Sequence, residues 1–162
     1  MDIRTAVLLT KPENESQIII AGKTYLYPMN ETHPVVLFDG VCNLCNKSVQ
    51  YIIRRDKKDR FRFAALQGKT GQAILKKHGL PADSLNSFIL ADGDNIYTHS
   101  TGALRMLKLL GFPWSVFYVY IILPRFFRDG VYNWIARNRY RWFGKQESCM
   151  IPTPDLKKKF LD

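Results

Sequence analysis

The stretch VVLFDGVCNLC, residues 35–45, decides the fold of this chain. Its first four residues are apolar and rich in β-branched and aromatic side chains, which suit a strand that is buried on both faces. The pair Asp39-Gly40 comes next and favours a tight turn. We therefore expect a short central strand that ends just before two cysteines.

The segment after this turn has the apolar spacing of a helix. Four residues recur at i, i+4, i+7 and i+8, namely Cys45, Val49, Ile52 and Ile53. This spacing is one face of an α-helix, and it predicts that Cys45 points inward. Cys42 is expected to lie exposed in the first turn. There, unpaired backbone N–H groups and the positive end of the helix dipole stabilise a thiolate.

The order of strand, turn, CxxC and helix is the context of a thioredoxin-like redox dithiol. Cys42 is the predicted nucleophile, and Cys45 is the predicted resolving thiol. Asp39 is a candidate acceptor for the proton of Cys45, because disulfide exchange needs a thiolate as the attacking group. The alternative role for Asp39 is to accept hydrogen bonds from the turn's own N–H groups.

A zinc half-site and a pair of structural thiols are the other interpretations of the two cysteines. Zinc usually takes four ligands from paired cysteines or histidines. The residues left to complete such a set are Cys149 and three scattered histidines, His33, His78 and His99. The sequence therefore calls for neither a metal nor a cofactor.

The rest of the core is predicted from alternating and helical patterns. We expect a strand at 60–66, a helix at 69–78, a hairpin of strands at 87–91 and 95–98, and a helix that Ser100 caps and Gly111 ends. Two successive strand-helix pairs predict a parallel sheet with right-handed crossovers. The resulting α/β order, β-α-β-α-β-β-α, is that of the thioredoxin fold.

Two segments flank this core, so the chain divides into 1–33, 34–111 and 112–162. The first is a β accessory segment, expected to be either a small hairpin with its turn near Gly22 or a poorly ordered tail. The last is an aromatic-basic helical extension, in which 112–123 should form a buried or interfacial helix. Its aromatic residues are expected to pack on the core and its arginines to form an exposed positive face.

Charge and composition limit the partners. The net charge is +10, and residues 105–145 hold eight basic residues and one acid. Such a field favours an acidic protein or an anionic membrane surface; a nucleic acid is not expected. A binding module that uses this face is the alternative to an enzyme.

The N-terminal residues suggest a location. Asp2 and a brief apolar run, MDIRTAVLLT, fit neither a secretory signal nor a transit peptide. Three cysteines fit a reducing compartment better than a disulfide framework. We expect a cytoplasmic protein.

The D-G-x-C-x-x-C signature at 39–45 resembles that of the DCC family of predicted thiol-disulfide oxidoreductases, which have a thioredoxin-like fold. The resemblance covers about 34–152, including Ser100, the tract NRYRWFG at 138–144 and Cys149 after it. It implies dithiol/disulfide exchange with a protein or small thiol substrate, and Cys149 as a third redox thiol or an idle one. One departure is that Ser87, and not the usual proline, precedes the third core strand.

Overall fold

The computed structural model describes residues 16–20, 23–27, 33–81, 88–147 and 157–161. The chain forms two compact units, Met1–Asn30 and Glu31–Asp162. In the first unit, strands β1 (Ser16–Ile20) and β2 (Lys23–Tyr27) pair antiparallel, with Ser16 opposite Tyr27 and Ile20 opposite Lys23. The hairpin predicted for this segment is confirmed.

The second unit is built on a mixed sheet of four strands in the order β4-β3-β5-β6. The strands are β3 (Val35–Phe38), β4 (Arg62–Ala65), β5 (Ile89–Asp92) and β6 (Asn95–Thr98). Strand β3 runs parallel to β4 and antiparallel to β5. All four residues of β3 are buried, as expected of a central strand with both faces covered.

Helices α1 (Asn43–Arg55), α2 (Lys69–Lys77) and α3 (His99–Leu110) follow strands β3, β4 and β6. A 3₁₀ segment (Trp114–Ile122), helix α4 (Arg125–Phe143) and a 3₁₀ turn (Lys157–Lys159) complete the described elements. The predicted order β-α-β-α-β-β-α and the thioredoxin-like fold are confirmed.

The core lies between the sheet and α1. Val49 and Ile52 of α1 are buried against Phe38 and Phe63 of the sheet. Burying a side chain of this size contributes about 1.5 to 3 kcal/mol. The Phe160 ring packs 6.0 Å from the Phe38 ring centroid and 5.9 Å from that of Phe63, so a residue distant in sequence closes this cluster.

Asp56 is the C-cap residue that follows α1, and it directs the chain into β4. Its two carboxylate oxygens accept the backbone N–H groups of Arg60 at 3.0 Å and Phe61 at 3.1 Å. The basic residues Arg54 and Arg55 lie in the last turn, where the helix dipole favours cations. The end of α1 is therefore fixed by side-chain chemistry, and Phe61 enters the core fully buried.

The extension departs from the sequence prediction in two ways. Residues 114–122 form a 3₁₀ segment in which no residue is buried, so the buried alternative predicted there is wrong; the interfacial alternative stays a prediction. Helix α4 packs on α1 and α3, yet Arg128 and Arg139 are buried while Phe126 is 79% exposed. The physical reason is that polar partners inside the fold bind the arginines, which turns the aromatic side chains outward. No helix within the described ranges has both the length and the apolarity to cross a membrane.

Candidate functional site

The two cysteines meet at the start of α1. Cys42 is the N-cap residue in an extended conformation, and its Sγ accepts the backbone N–H of Cys45 at 3.4 Å. Both cysteines are free thiols. Because the unpaired N–H groups and the positive dipole end of a helix favour negative charge, the Sγ of Cys42 lies where a thiolate is stabilised.

The accessibility of the two thiols is the reverse of the prediction. Cys42 is fully buried, whereas Cys45, expected to point inward, is partly exposed. The reason is a short bridge that covers Cys42: Cys42 pairs antiparallel with Lys145, and the N–H of Gln146 donates to the carbonyl of Val41 at 2.8 Å. The apolar spacing within α1 predicts which side of that helix is buried, but it cannot predict that a segment 100 residues later in the chain covers Cys42.

Cys45 is held in its neutral form. Burial raises the pKa of its thiol first, and a hydrogen bond to Cys42 and the negative charge of Cys42 raise it further. The positive charge of Arg139 acts in the opposite direction and lowers this pKa. At neutral pH, Cys45 is therefore a thiol that donates to Cys42, and it needs help to lose its proton.

Asp39 is the centre of a buried hydrogen-bond network beside the thiols. Its side chain is 2% exposed, and Oδ1 accepts the N–H of Val41 at 3.2 Å and the Gln67 amide at 2.7 Å. Oδ2 accepts Nη2 of Arg139 at 2.7 Å and the Tyr140 hydroxyl. The bond from Val41 is the turn contact considered for Asp39, and acceptance of a proton from Cys45 stays a prediction.

Arg139 and Tyr140 are site residues that the sequence interpretation missed. The tract that contains them was noted only as part of a family resemblance, and its arginines were assigned to the surface. One signal was present: Arg128, Tyr132 and Arg139, at i, i+4 and i+11, share one helical face. That face is the buried one, because Arg139 is only 4% exposed in its ion pair with Asp39.

A second polar cluster joins α3 to α4. Ser100 was predicted to cap α3, but the helix begins at His99, and Ser100 lies one residue inside it. The Ser100 hydroxyl donates to Asp129 Oδ1, and Nη1 of Arg128 donates to Ser100 Oγ at 3.0 Å. Ser100 therefore binds α4 and does not cap its own helix, because Thr98 holds the N-cap position and Asp129 of α4 accepts both the backbone N–H and the hydroxyl of Ser100.

An apolar pocket of about 210 Å³ opens beside Cys45, between α1, α3 and α4. Leu44, Met106 and Ile135 supply apolar walls, and Arg139 supplies a positive charge. The pocket reaches Cys45 and Asp39, whereas Cys42 is not part of its wall. A ligand in this pocket would contact Cys45 but not Cys42.

Several predicted features fall outside the described residues, namely the turn near Gly22, Ser87 and Cys149. Within the described ranges, no group of three or more histidines, cysteines or carboxylates is arranged to hold a metal ion. The described site brings together the two thiols, the Asp39 carboxylate, the Arg139 guanidinium, the Tyr140 hydroxyl and the Gln67 amide.

Comparison with known proteins identifies the family of the chain that carries this site. The chain is 50% identical over 127 residues to the uncharacterized protein YuxK of Bacillus subtilis (strain 168). The matched region covers 78% of this chain and 93% of that protein. It is 36% identical over 122 residues to a chloroplastic DCC family protein of Arabidopsis thaliana, and the matched region covers 75% of this chain and 71% of that protein. No solved structure matches it. The model of the DCC1-like thiol-disulfide oxidoreductase family matches residues 36–145, and the chain belongs to that family.

Proposed function

We propose that this chain is a thiol-disulfide oxidoreductase that works through Cys42 and Cys45. The observation that carries the proposal is the position of Cys42 at the N-cap of α1, with its Sγ bonded to the N–H of Cys45. This is the environment in which a cysteine gains thiolate character and reactivity. Membership of a family named for this reaction supports a redox role in general.

In the reducing direction, the Cys42 thiolate attacks one sulfur of a substrate disulfide. A Cys42–substrate disulfide forms, and the other substrate sulfur leaves as a thiolate. Cys45 then loses its proton and attacks Cys42 Sγ, which closes the Cys42–Cys45 disulfide and releases the second substrate thiolate. The substrate gains two electrons and the chain loses two; the reverse sequence oxidises a dithiol.

Two charged side chains support the second step. Arg139 stabilises the Cys45 thiolate, because its positive charge lowers the pKa of that thiol. We assign acceptance of the Cys45 proton to Asp39, the carboxylate whose charge also acts on Cys45. Asp39 already accepts four hydrogen bonds, so one of its donors must yield when the proton arrives.

Access to Cys42 requires movement of the segment that covers it. The cover is formed by residues 144–146, through the Cys42–Lys145 bridge and the Gln146–Val41 hydrogen bond. The bridge consists of two backbone hydrogen bonds, from Gln146 N–H to the Val41 carbonyl and from Asn43 N–H to the Gly144 carbonyl, and the Asn46 side-chain amide donates a third bond to Gln146. At about 1 kcal/mol for each bond, opening costs about 3 kcal/mol in free energy. The substrate then reaches Cys42 after the cover opens. Cys45, which lines the pocket, reacts in the second step.

Trapping of mixed disulfides tests the proposal. The full chain carrying Cys149→Ser, with Cys45→Ser or Cys42→Ser added, is mixed with glutathione disulfide, and the adducts are located by mass spectrometry. We expect Cys45→Ser to accumulate a glutathione adduct on Cys42 and Cys42→Ser to accumulate much less on Cys45. The matched control carries serine at all three positions and should form no adduct.

Two results would count against this assignment. Stronger trapping through Cys45 than through Cys42 would reverse the order of attack, in line with the greater exposure of Cys45. A Cys149→Ser protein whose Cys42 and Cys45 never form a disulfide, at any ratio of reduced to oxidised glutathione, would overturn the oxidoreductase function itself.

A further inference from the structure

The extension carries a concentration of exposed apolar side chains. Among the residues that the structure describes, 15 large apolar side chains are exposed, and 14 of them lie between residues 112 and 143. The most exposed are Phe112 at 86%, Ile122 at 80% and Phe126 at 79%. Scattered exposed apolar residues are ordinary in soluble proteins, but a concentration of this kind marks a binding surface.

This surface comes from two neighbouring elements. The 3₁₀ segment and helix α4 both pack on α3. Along the 3₁₀ segment the Phe117 ring stacks between those of Trp114 and Tyr120. On α4, the Trp134 and Trp142 rings contact each other at 4.9 Å between centroids. Aromatic rings therefore line both elements of what we call the aromatic face, the exposed apolar side chains of residues 112–143.

Basic residues lie on the same side of α4 as the apolar ones. At 100° per residue, Phe127 and Trp134 lie about 100° to 140° around the helix from the buried Arg128 and Arg139. On the same count, Arg141 lies within about 40° of both aromatic residues and Arg137 within about 80°. Arg137 and Arg141 are exposed. The one acid between residues 112 and 143 is Asp129, whose carboxylate is bonded to Ser100. The aromatic face thus combines apolar rings with exposed positive charge, and the segment that carries it, residues 112–143, has more basic than acidic residues.

We propose that the aromatic face docks on the headgroup region of an anionic phospholipid membrane. Tryptophan and tyrosine have amphipathic rings that suit the boundary between headgroups and acyl chains. Exposed arginines beside them attract anionic lipids, at about 1 kcal/mol for each basic residue near the surface. Docking in the interface requires no membrane-spanning helix.

Charge favours a lipid surface over a second copy of the chain. In a symmetric dimer the same patch occurs on both sides. The aromatic face of one copy would then meet that of the other, and both would bring Arg137 and Arg141 with no carboxylate of residues 130–143 to balance them. An anionic bilayer supplies the missing negative charge and also accepts the aromatic rings.

Vesicle sedimentation of the full chain tests the proposal. The vesicles contain either phosphatidylcholine alone or a mixture of phosphatidylcholine and phosphatidylglycerol. We expect binding to the mixed vesicles that weakens as salt is added. Arg137→Glu/Arg141→Glu should weaken it about tenfold or more, because two attractive charges become repulsive. Phe127→Ser/Trp134→Ser should weaken binding through loss of apolar contact.

The control variant is Lys57→Glu/Lys58→Glu, which makes the same change of charge at two exposed residues after α1. It should bind the mixed vesicles to within about twofold of the unchanged protein, given that each basic residue counts only near the surface. All variants should melt like the unchanged protein. Failure to sediment with mixed vesicles, or an equal loss in the control, would overturn the proposal. A dimer in analytical ultracentrifugation that Phe127→Ser/Trp134→Ser dissociates, without vesicle binding, would assign the face to a second copy.

Discussion

Helices α1 and α4 pack on the same domain with opposite chemistry. The buried face of α1 is apolar, with Val49 and Ile52 in the core and charged residues in water. The buried face of α4 holds Arg128 and Arg139, and its aromatic residues are exposed. The comparison shows that burial of apolar surface orients one helix, whereas ion pairs and hydrogen bonds orient the other.

The two kinds of packing differ in what they contribute. Apolar burial in α1 is a direct source of stability, at about 25 cal/mol for each Å² removed from water. The Asp39–Arg139 pair is a different case, because desolvation of both ions offsets much of their attraction. Removal of only one of the two partners still lowers the stability of the fold, because the other charge would stay buried without a partner. Helix α4 is therefore specified by its partners more than by its own pattern.

Deletion of every residue after Gly111 is the test with the largest expected effect. It removes Arg139 and Tyr140 from Asp39 and the Phe160 ring from Phe63. A carboxylate would then be buried without its ion partner, and we expect loss of the cooperative fold, measured by circular dichroism during heating. A truncated chain that melts cooperatively at the same temperature would show that the extension is a separate module.

A matched pair of phenylalanines sharpens the comparison. Phe63 is fully buried in the sheet, and Phe126 of α4 is 79% exposed. We expect Phe63→Ala to lower the free energy of unfolding by about 3 to 5 kcal/mol, because it leaves a cavity. Phe126→Ala should change it by no more than about 0.5 kcal/mol, as at ordinary surface sites. Urea denaturation measures both, and similar losses would mean that the aromatic face is buried in solution.

Features that depend on neighbouring residues can be predicted from the sequence, whereas features that depend on contacts between distant residues cannot. Strand β3, the start of α1 and the hairpin β5-β6 follow from patterns within a few residues, and those patterns are sufficient to predict the thioredoxin-like order. The exposure of Cys42 and the burial of Arg139 depend on contacts across about 100 residues. The expectation that aromatic residues pack on the core and arginines stay at the surface fails for Phe126 and Arg139 of α4, although Arg137 and Arg141 are exposed as expected.

The smallest of the expected effects concerns the pKa of Cys45, at the site where α1 and α4 meet. Hydrogen bonding to Cys42 and the charge of Cys42 both raise the pKa of Cys45, after burial. Cys42→Ala removes these two causes, so the pKa of Cys45 should fall and its thiolate fraction at a given pH should rise. We expect Cys45 to react with iodoacetamide several-fold faster between about pH 7 and 9, measured on its peptide by mass spectrometry.

Cys42→Ser serves as the graded control in this experiment, because its hydroxyl keeps a hydrogen-bond acceptor without a negative charge. Its Cys45 should react at a rate between those of the unchanged protein and Cys42→Ala. An unchanged or slower rate in Cys42→Ala would show that burial alone sets the protonation of Cys45.

The separation between Cys42 and the segment that covers it has a consequence during synthesis. A ribosome adds residues at roughly 5 to 20 per second, so the CxxC leaves the exit tunnel about 5 to 20 seconds before Lys145 does. The nascent chain therefore presents Cys42 without its cover, at a stage when Asp39 also lacks Arg139. The thiol is at its most accessible before residues 144–146 have emerged, and the arrival of this segment is the event that shields it.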